Sequence, residues 1–142
     1  MYEVLLIEDN EADIHITSDV LKEISPEIHI QVARDGQEAI ETLQTLAKEE
    51  NSNIPSLVLL DINIPKRNGF EVLSFIKENN LLAVIPVVML TTSSFQKDRQ
   101  MAFDKKADGF ITKSIDWLEF ENDIRNVIDL WMTRRKKSDN HK

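Results

Sequence analysis

The sequence contains no cysteine, which excludes disulfides, cysteine-ligated zinc and thiol catalysis. Its three glycines are scattered and form neither a GxGxxG nor a GxxxxGK[ST] phosphate-binding loop. No run of 18 apolar residues occurs, so no segment is predicted to span a membrane. The 142 residues include 17 basic and 25 acidic ones, and the net charge of −8 argues against a nucleic-acid partner. We therefore expect an acidic cytoplasmic protein with a single core.

The charge is divided unevenly along the chain. The last nine residues hold five basic residues and one acidic residue, so residues 1–133 carry a net charge of −12. The basic residues of this end include the run from Arg134 to Lys137. We predict one domain over residues 1–133, which includes a long last helix, and a basic polar tail over residues 134–142.

Short apolar runs alternate with amphipathic stretches. The apolar runs predict five strands, at residues 4–7, 28–32, 57–60, 84–90 and 110–112. Apolar residues spaced three or four apart predict helices at residues 12–24, 36–50, 70–79 and 95–105, and a last helix after Asp116. Continuous Val, Ile and Leu runs are typical of parallel strands covered on both faces. The alternation therefore predicts an α/β fold with helices on both faces of a parallel sheet.

Polar residues follow the predicted strands where each strand ends. Glu8 and Asp9 follow the first strand, Asp61 the third, Thr91 the fourth and Lys113 the fifth. Ligands of open parallel sheets bind beyond these carboxyl ends. If the first and third strands are neighbours, three carboxylates converge, and two such charges about 4 Å apart repel by roughly 4 kcal/mol. Oxygen ligands without histidine or cysteine favour Mg²⁺ or a similar cation.

These groups together predict a site for phosphoryl transfer to a carboxylate. Asp61 lies on the predicted central strand and is the expected nucleophile, which leaves Glu8 and Asp9 to hold the metal. Lys113 supplies a further positive charge, and Thr91 supplies a hydroxyl donor.

The sequence resembles the receiver domains of two-component response regulators over roughly residues 2–130. The matching segments follow the order and spacing of that family, and they lie at residues 6–10, 59–65, 68–69, 90–93 and 107–113. Each segment alone is weak evidence for the family, but the set of five is specific for it. The resemblance implies a flavodoxin-like, doubly wound (βα)5 fold with the parallel sheet order 2-1-3-4-5.

The resemblance also implies a role for each matching residue. Asp61 accepts a phosphoryl group from the phosphohistidine of a histidine kinase. Asp9, Asp61 and the backbone carbonyl of Asn63 bind Mg²⁺ or Mn²⁺, and Glu8 acts mainly through water. Lys113 neutralises the phosphoryl oxygens.

Four further positions carry over from the family. Thr91 moves to hydrogen-bond the new phosphate, and Phe110 turns inward as Thr91 moves. Asn63 and Ser93 occupy the positions that tune hydrolysis of the acyl phosphate. The family usually has proline after the lysine, often with a cis peptide, and Ser114 stands there in this chain.

The partners are predicted from finer features. The segment Asp-Ile-Asn-Ile-Pro and the Thr-Thr-Ser segment resemble stand-alone receivers that are paired with bacteriophytochrome-type sensor kinases. No DNA-binding module follows the receiver segment, so we expect output through a downstream protein effector or through a homodimer of the last helix. The expected activity is that of a phosphoacceptor that promotes its own phosphotransfer and dephosphorylation, not that of a metabolic enzyme.

Three other functions share parts of this pattern. A haloacid-dehalogenase-type enzyme also uses a strand-end aspartate with Mg²⁺, but it requires a second acid where Asn63 stands. A flavodoxin requires a glycine- and hydroxyl-rich loop after the first strand, where Glu8 and Asp9 would repel its phosphate. An interaction module that never accepts phosphate would have a broken acidic pocket, and here the pocket residues are intact.

Overall fold

A computed structural model describes residues 2–48, 54–92, 96–113 and 116–140. Within these residues, five strands alternate with five helices. The strands are β1 (Tyr2–Ile7), β2 (Ile28–Ala33), β3 (Leu57–Asp61), β4 (Val87–Thr91) and β5 (Gly109–Thr112). The helices are α1 (Glu11–Ile24), α2 (Gly36–Lys48), α3 (Gly69–Glu78), α4 (Gln96–Asp104) and α5 (Trp117–Asn140). All strand pairs are parallel and the order is β2-β1-β3-β4-β5, which confirms the predicted fold.

Apolar side chains cover the sheet on both faces. Successive residues of a strand point to opposite faces, so Leu5 and Ile7 pack with the apolar residues of α2 and α3, whereas Val4 and Leu6 pack with those of α1 and α5. Every residue of β3 is buried, as expected for the central strand. Burial of this surface, worth about 25 cal/mol per Å², fixes the carboxyl ends of β1, β3, β4 and β5 at one edge.

β4 is shorter than the apolar run that predicts it. The run covers residues 84–90, but the strand begins at Val87, and Val84 is 80% exposed in the turn after α3. Pro86 separates the two valines and has no N–H to donate to the sheet. Its carbonyl oxygen instead accepts a hydrogen bond from the Val58 N–H at 3.0 Å.

α5 continues beyond residue 133, where the sequence predicts the change from domain to tail. Ile124 and Ile128 are buried, and Arg125 lies 3.4 Å from Glu23 of α1. The boundary between domain and basic tail at residue 134 stays a prediction. Among the described residues, none of the helices combines the length and the apolarity that a membrane span requires.

Candidate functional site

The predicted strand-end carboxylates meet at one edge of the sheet. β1 pairs with β3, so Glu8, which follows β1, lies near Asp61, the last residue of β3. The carboxylates of Glu8, Asp9 and Asp61 each place an oxygen within 4.8 Å of the others. Glu8 and Asp61 are buried and Asp9 is exposed. The structure thus brings together the three acids that the sequence predicts, with one side of the cluster open to solvent.

The Lys113 ammonium lies among these carboxylates, although β5 is at the far edge of the sheet. Its Nζ is 2.5 Å from Oε2 of Glu8, 2.9 Å from Oδ2 of Asp61 and 3.0 Å from Oδ2 of Asp13. The side chain is only 9% exposed. Since an ammonium has three N–H bonds, these contacts match its donor capacity.

Asp13 was not among the residues that the sequence predicts for the site. It lies in the first turn of α1, where an acid is ordinarily explained by the helix dipole. The sequence feature that could have indicated Asp13 is its position four residues after Asp9. α1 begins at Glu11, so this position lies in the helix next to the acidic pair.

Backbone N–H groups hold the second oxygen of each buried carboxylate. Oδ1 of Asp61 accepts a hydrogen bond from the Asn63 N–H at 3.0 Å, and Oε1 of Glu8 accepts one from the Asn10 N–H at 3.1 Å. Each of the two carboxylates therefore has one oxygen on Lys113 and the other on the backbone of the loop that follows its strand.

The environment of the site raises the pKa of both Glu8 and Lys113. Burial raises the pKa of Glu8 to about 7, and Asp61 adds to this effect while Lys113 opposes it. Burial alone would lower the pKa of Lys113, but the hydrogen bonds and charges of Glu8 and Asp61 raise it above its usual value. A divalent cation would hold Glu8 in its ionised form.

The donor set fits a hard divalent cation. The cluster offers carboxylate oxygens from Glu8, Asp9 and Asp61 and includes no histidine or cysteine. Carboxylate ligands favour Mg²⁺ or Mn²⁺ over zinc. The geometry and the ligand type therefore agree with the cation that the sequence predicts.

Thr91 and Phe110, the two residues that are predicted to move on phosphorylation, lie on neighbouring strands. Thr91 is fully buried at the end of β4, and Phe110 is half-buried on β5. The guanidinium of Arg99, on α4, lies 5.0 Å from the centre of the Phe110 ring, within the range of a cation–π contact. The sequence did not predict this partner. Ser93 and Ser114 lie outside the described residues.

Gly69 packs against the backbone that carries Asp61. Its N–H donates to the carbonyl oxygen of Ile62 at 2.8 Å. A Cβ at this position would lie 2.4 Å from the carbonyl oxygen of Asp61 and 2.7 Å from Cα of Ile62. The start of α3 can therefore approach the end of β3 this closely only with glycine.

We expect Gly69→Ala to lower the free energy of unfolding by about 1–3 kcal/mol, because a backbone clash must be relieved by moving Asp61 or α3. Urea unfolding measures this effect. Gly109→Ala is the matched control, since the atoms nearest to its Cβ would belong to the Val88 side chain, the first at 3.3 Å, and not to the backbone. An equal loss in both variants would contradict the special role of the contact with Asp61.

Residues 4–125 match the response regulator receiver domain family. The chain belongs to this family. It is 36% identical over 129 residues to the response regulator Rcp1 of Synechocystis sp., across 91% of this chain and 88% of Rcp1. The receiver domain therefore aligns with nearly the whole of that relative.

Two solved structures extend the comparison. The structure of the phosphorylated cyanobacterial phytochrome response regulator RcpA superposes with a TM-score of 0.85 and 33% identity, over 94% of this chain and 95% of RcpA. The Mn²⁺-bound form of Rcp1 gives a TM-score of 0.82 and 36% identity, over 92% of this chain and 94% of Rcp1. The predicted receiver fold and its place in two-component signalling are confirmed. Receiver domains bind Mg²⁺, and the acidic cluster of this receiver fits that cation.

Proposed function

We propose that this receiver is a switch operated by phosphorylation of Asp61. The observation that carries the proposal is the environment of the Asp61 carboxylate. It is buried on the central strand, one oxygen is held by the Asn63 N–H, and the other is 2.9 Å from Lys113. Two further carboxylates lie within 4.8 Å, which is an arrangement suited to a cation and an anionic phosphoryl group.

The proposed reaction moves a phosphoryl group from nitrogen to oxygen. A carboxylate oxygen of Asp61 attacks the phosphorus, a P–O bond forms, the P–N bond of the phosphohistidine breaks, and the imidazole takes up a proton. Asp9, Asp61 and the backbone carbonyl of Asn63 would hold Mg²⁺, with Glu8 acting mainly through water. The bound cation would neutralise charge on the phosphoryl oxygens.

Lys113 would exchange its contact with Asp61 for one with a phosphoryl oxygen. Its charge is secure at neutral pH because Glu8 and Asp61 raise its pKa. Thr91, buried at the end of the adjacent strand, would then hydrogen-bond the phosphate. Phe110 would turn inward as Thr91 moves, which would change the surface between α4 and α5.

Two positions would set the lifetime of the acyl phosphate. Asn63 is exposed two residues beyond Asp61, so its side chain can influence the access of water. For Ser93 the proposal rests on the family position alone. Asn63 also stands where a phosphohydrolase of the haloacid-dehalogenase type has its second acid, which favours a phosphoacceptor over a metabolic enzyme.

The proposed partners follow from the relatives and the surface. RcpA is a phytochrome response regulator, which supports a phytochrome-type sensor kinase as the phosphoryl donor of this receiver in the cytoplasm. The groove beside Phe110 is lined by Arg99, Asp123 and Asn126 and is a candidate surface for a protein effector. Leu130 is 49% exposed on α5 and supports the homodimer through that helix.

Acetyl phosphate with Mg²⁺ is expected to add one phosphoryl group to the wild-type protein, because a small-molecule donor tests the acceptor site without the kinase. Intact-mass spectrometry measures the adduct. The matched control is the same incubation with EDTA, in which the adduct should be absent. Absence of the adduct with Mg²⁺, or an equal yield with EDTA, would contradict the proposed function.

A further inference from the structure

Asp13 is a fourth carboxylate beside the site, where it contacts Lys113. Its Oδ2 lies 3.0 Å from the lysine Nζ, and its side chain is 31% exposed. It is not a member of the Glu8–Asp9–Asp61 cluster, in which the carboxylates lie within 4.8 Å of one another. Asp13 is therefore linked to this cluster by the lysine that it shares with Glu8 and Asp61.

The shared lysine couples Asp13 to the proposed phosphoacceptor. The contacts of 3.0 and 2.9 Å to the same nitrogen place the Oδ2 atoms of Asp13 and Asp61 less than about 6 Å apart. A negative charge at this distance attracts a divalent cation to the cluster. It also occupies one N–H of an ammonium that would otherwise turn entirely to Glu8 and Asp61. Both effects act in the same direction and favour cation binding.

We propose that Asp13 is a positioning residue that divides the Lys113 ammonium among three carboxylates and so leaves the Glu8–Asp9–Asp61 cluster negative enough to bind a divalent cation. The inference rests on the proposed function and deepens it. Without Asp13, the cation competes with a lysine whose N–H groups all turn to Glu8 and Asp61. More Mg²⁺ is then needed for half-maximal phosphorylation.

The test compares three substitutions in the first turn of α1. Asp13→Asn removes the charge and keeps the shape, and Asp13→Glu keeps the charge. Glu11→Gln is the matched control, because Glu11 is an exposed acid of the same turn that pairs with Arg34 and has no contact with Lys113 among the described residues. Asn10 still caps α1 in all three variants, because its Oδ1 accepts a hydrogen bond from the backbone N–H of residue 13.

The first measurement is the dissociation constant of Mn²⁺. It is determined by electron paramagnetic resonance in the absence of any phosphoryl donor. Loss of a unit charge within about 6 Å of the Asp61 carboxylate is expected to weaken Mn²⁺ binding roughly five- to tenfold in Asp13→Asn. Binding by Asp13→Glu and Glu11→Gln should stay within about twofold of wild type. The second measurement is the rate of adduct formation against Mg²⁺ concentration, in which Asp13→Asn should need a higher Mg²⁺ concentration for half-maximal phosphorylation.

Two results would overturn the inference. One is a Mn²⁺ affinity of Asp13→Asn equal to that of Glu11→Gln. The other is an Asp13→Glu variant as weak as Asp13→Asn, which would show that the shape of the residue matters and its charge does not. Thermal unfolding of each variant checks that the fold is intact. Failure of the proposed function would appear separately, as a wild-type protein that binds Mn²⁺ but forms no adduct.

Discussion

Asp61→Asn is expected to abolish the phosphoryl adduct and to stabilise the protein in the absence of divalent cations. The neutral amide oxygen is a poor nucleophile, while the shape of the side chain and its hydrogen bond from the Asn63 N–H are retained. Asp61 contacts one cation, Lys113, but has three carboxylates nearby. The substitution removes this repulsion and leaves no charge to be buried at this position. It should therefore raise the free energy of unfolding by about 1–3 kcal/mol.

Two measurements check the two halves of this expectation. Intact mass after incubation with acetyl phosphate and Mg²⁺ reports the adduct, and urea unfolding in EDTA at pH 8 reports the stability. Asp19→Asn is the control, since Asp19 is an exposed acid of α1 and should keep both the adduct and the wild-type stability. An adduct that survives in Asp61→Asn would place the nucleophile on another residue, and a less stable variant would mean that the contact with Lys113 outweighs the repulsion.

The strands and their carboxyl ends could be predicted, because burial on both faces leaves a continuous apolar run in the sequence. β3 is such a run, and all five of its residues are buried. The order of the strands depends on pairing between distant segments, so it came from the resemblance to receiver domains and not from the pattern. Val84 shows the limit of the pattern: this apolar residue, two positions before Pro86, fits the pattern of a strand but is 80% exposed in a turn.

The site could be predicted where its residues follow strands, since parallel strands bring their carboxyl ends to one edge. Glu8, Asp61 and Lys113 were found in this way, and the structure places them in contact. Asp13 and Arg99 were missed because they lie on helices, where a charged residue has an ordinary explanation. Their contacts depend on how α1 and α4 pack against the sheet, and the contact between Asp13 and Lys113 spans 100 residues of sequence.

The binding of Mg²⁺ is expected to weaken steeply below pH 7, because the cation and a proton compete for Glu8. Burial raises the pKa of Glu8 from 4.5 to about 7. A carboxyl with a raised pKa holds its proton more tightly in the folded state than in the unfolded state. In the cation-free protein, its ionisation therefore lowers the free energy of unfolding as the pH rises from about 4.5 to about 7, by roughly 3 kcal/mol at most.

A bound cation compensates for this loss, so Mg²⁺ should raise the melting temperature more at pH 8 than at pH 6. The dissociation constant of Mn²⁺ should increase by up to about tenfold per pH unit below 7 and level off above it. Glu8→Gln is the matched variant, because it keeps the size of the side chain but cannot take up the proton. Its Mn²⁺ affinity should be weaker at pH 8 and nearly independent of pH between 6 and 8. A slope equal to that of the wild type would show that another group competes with the cation.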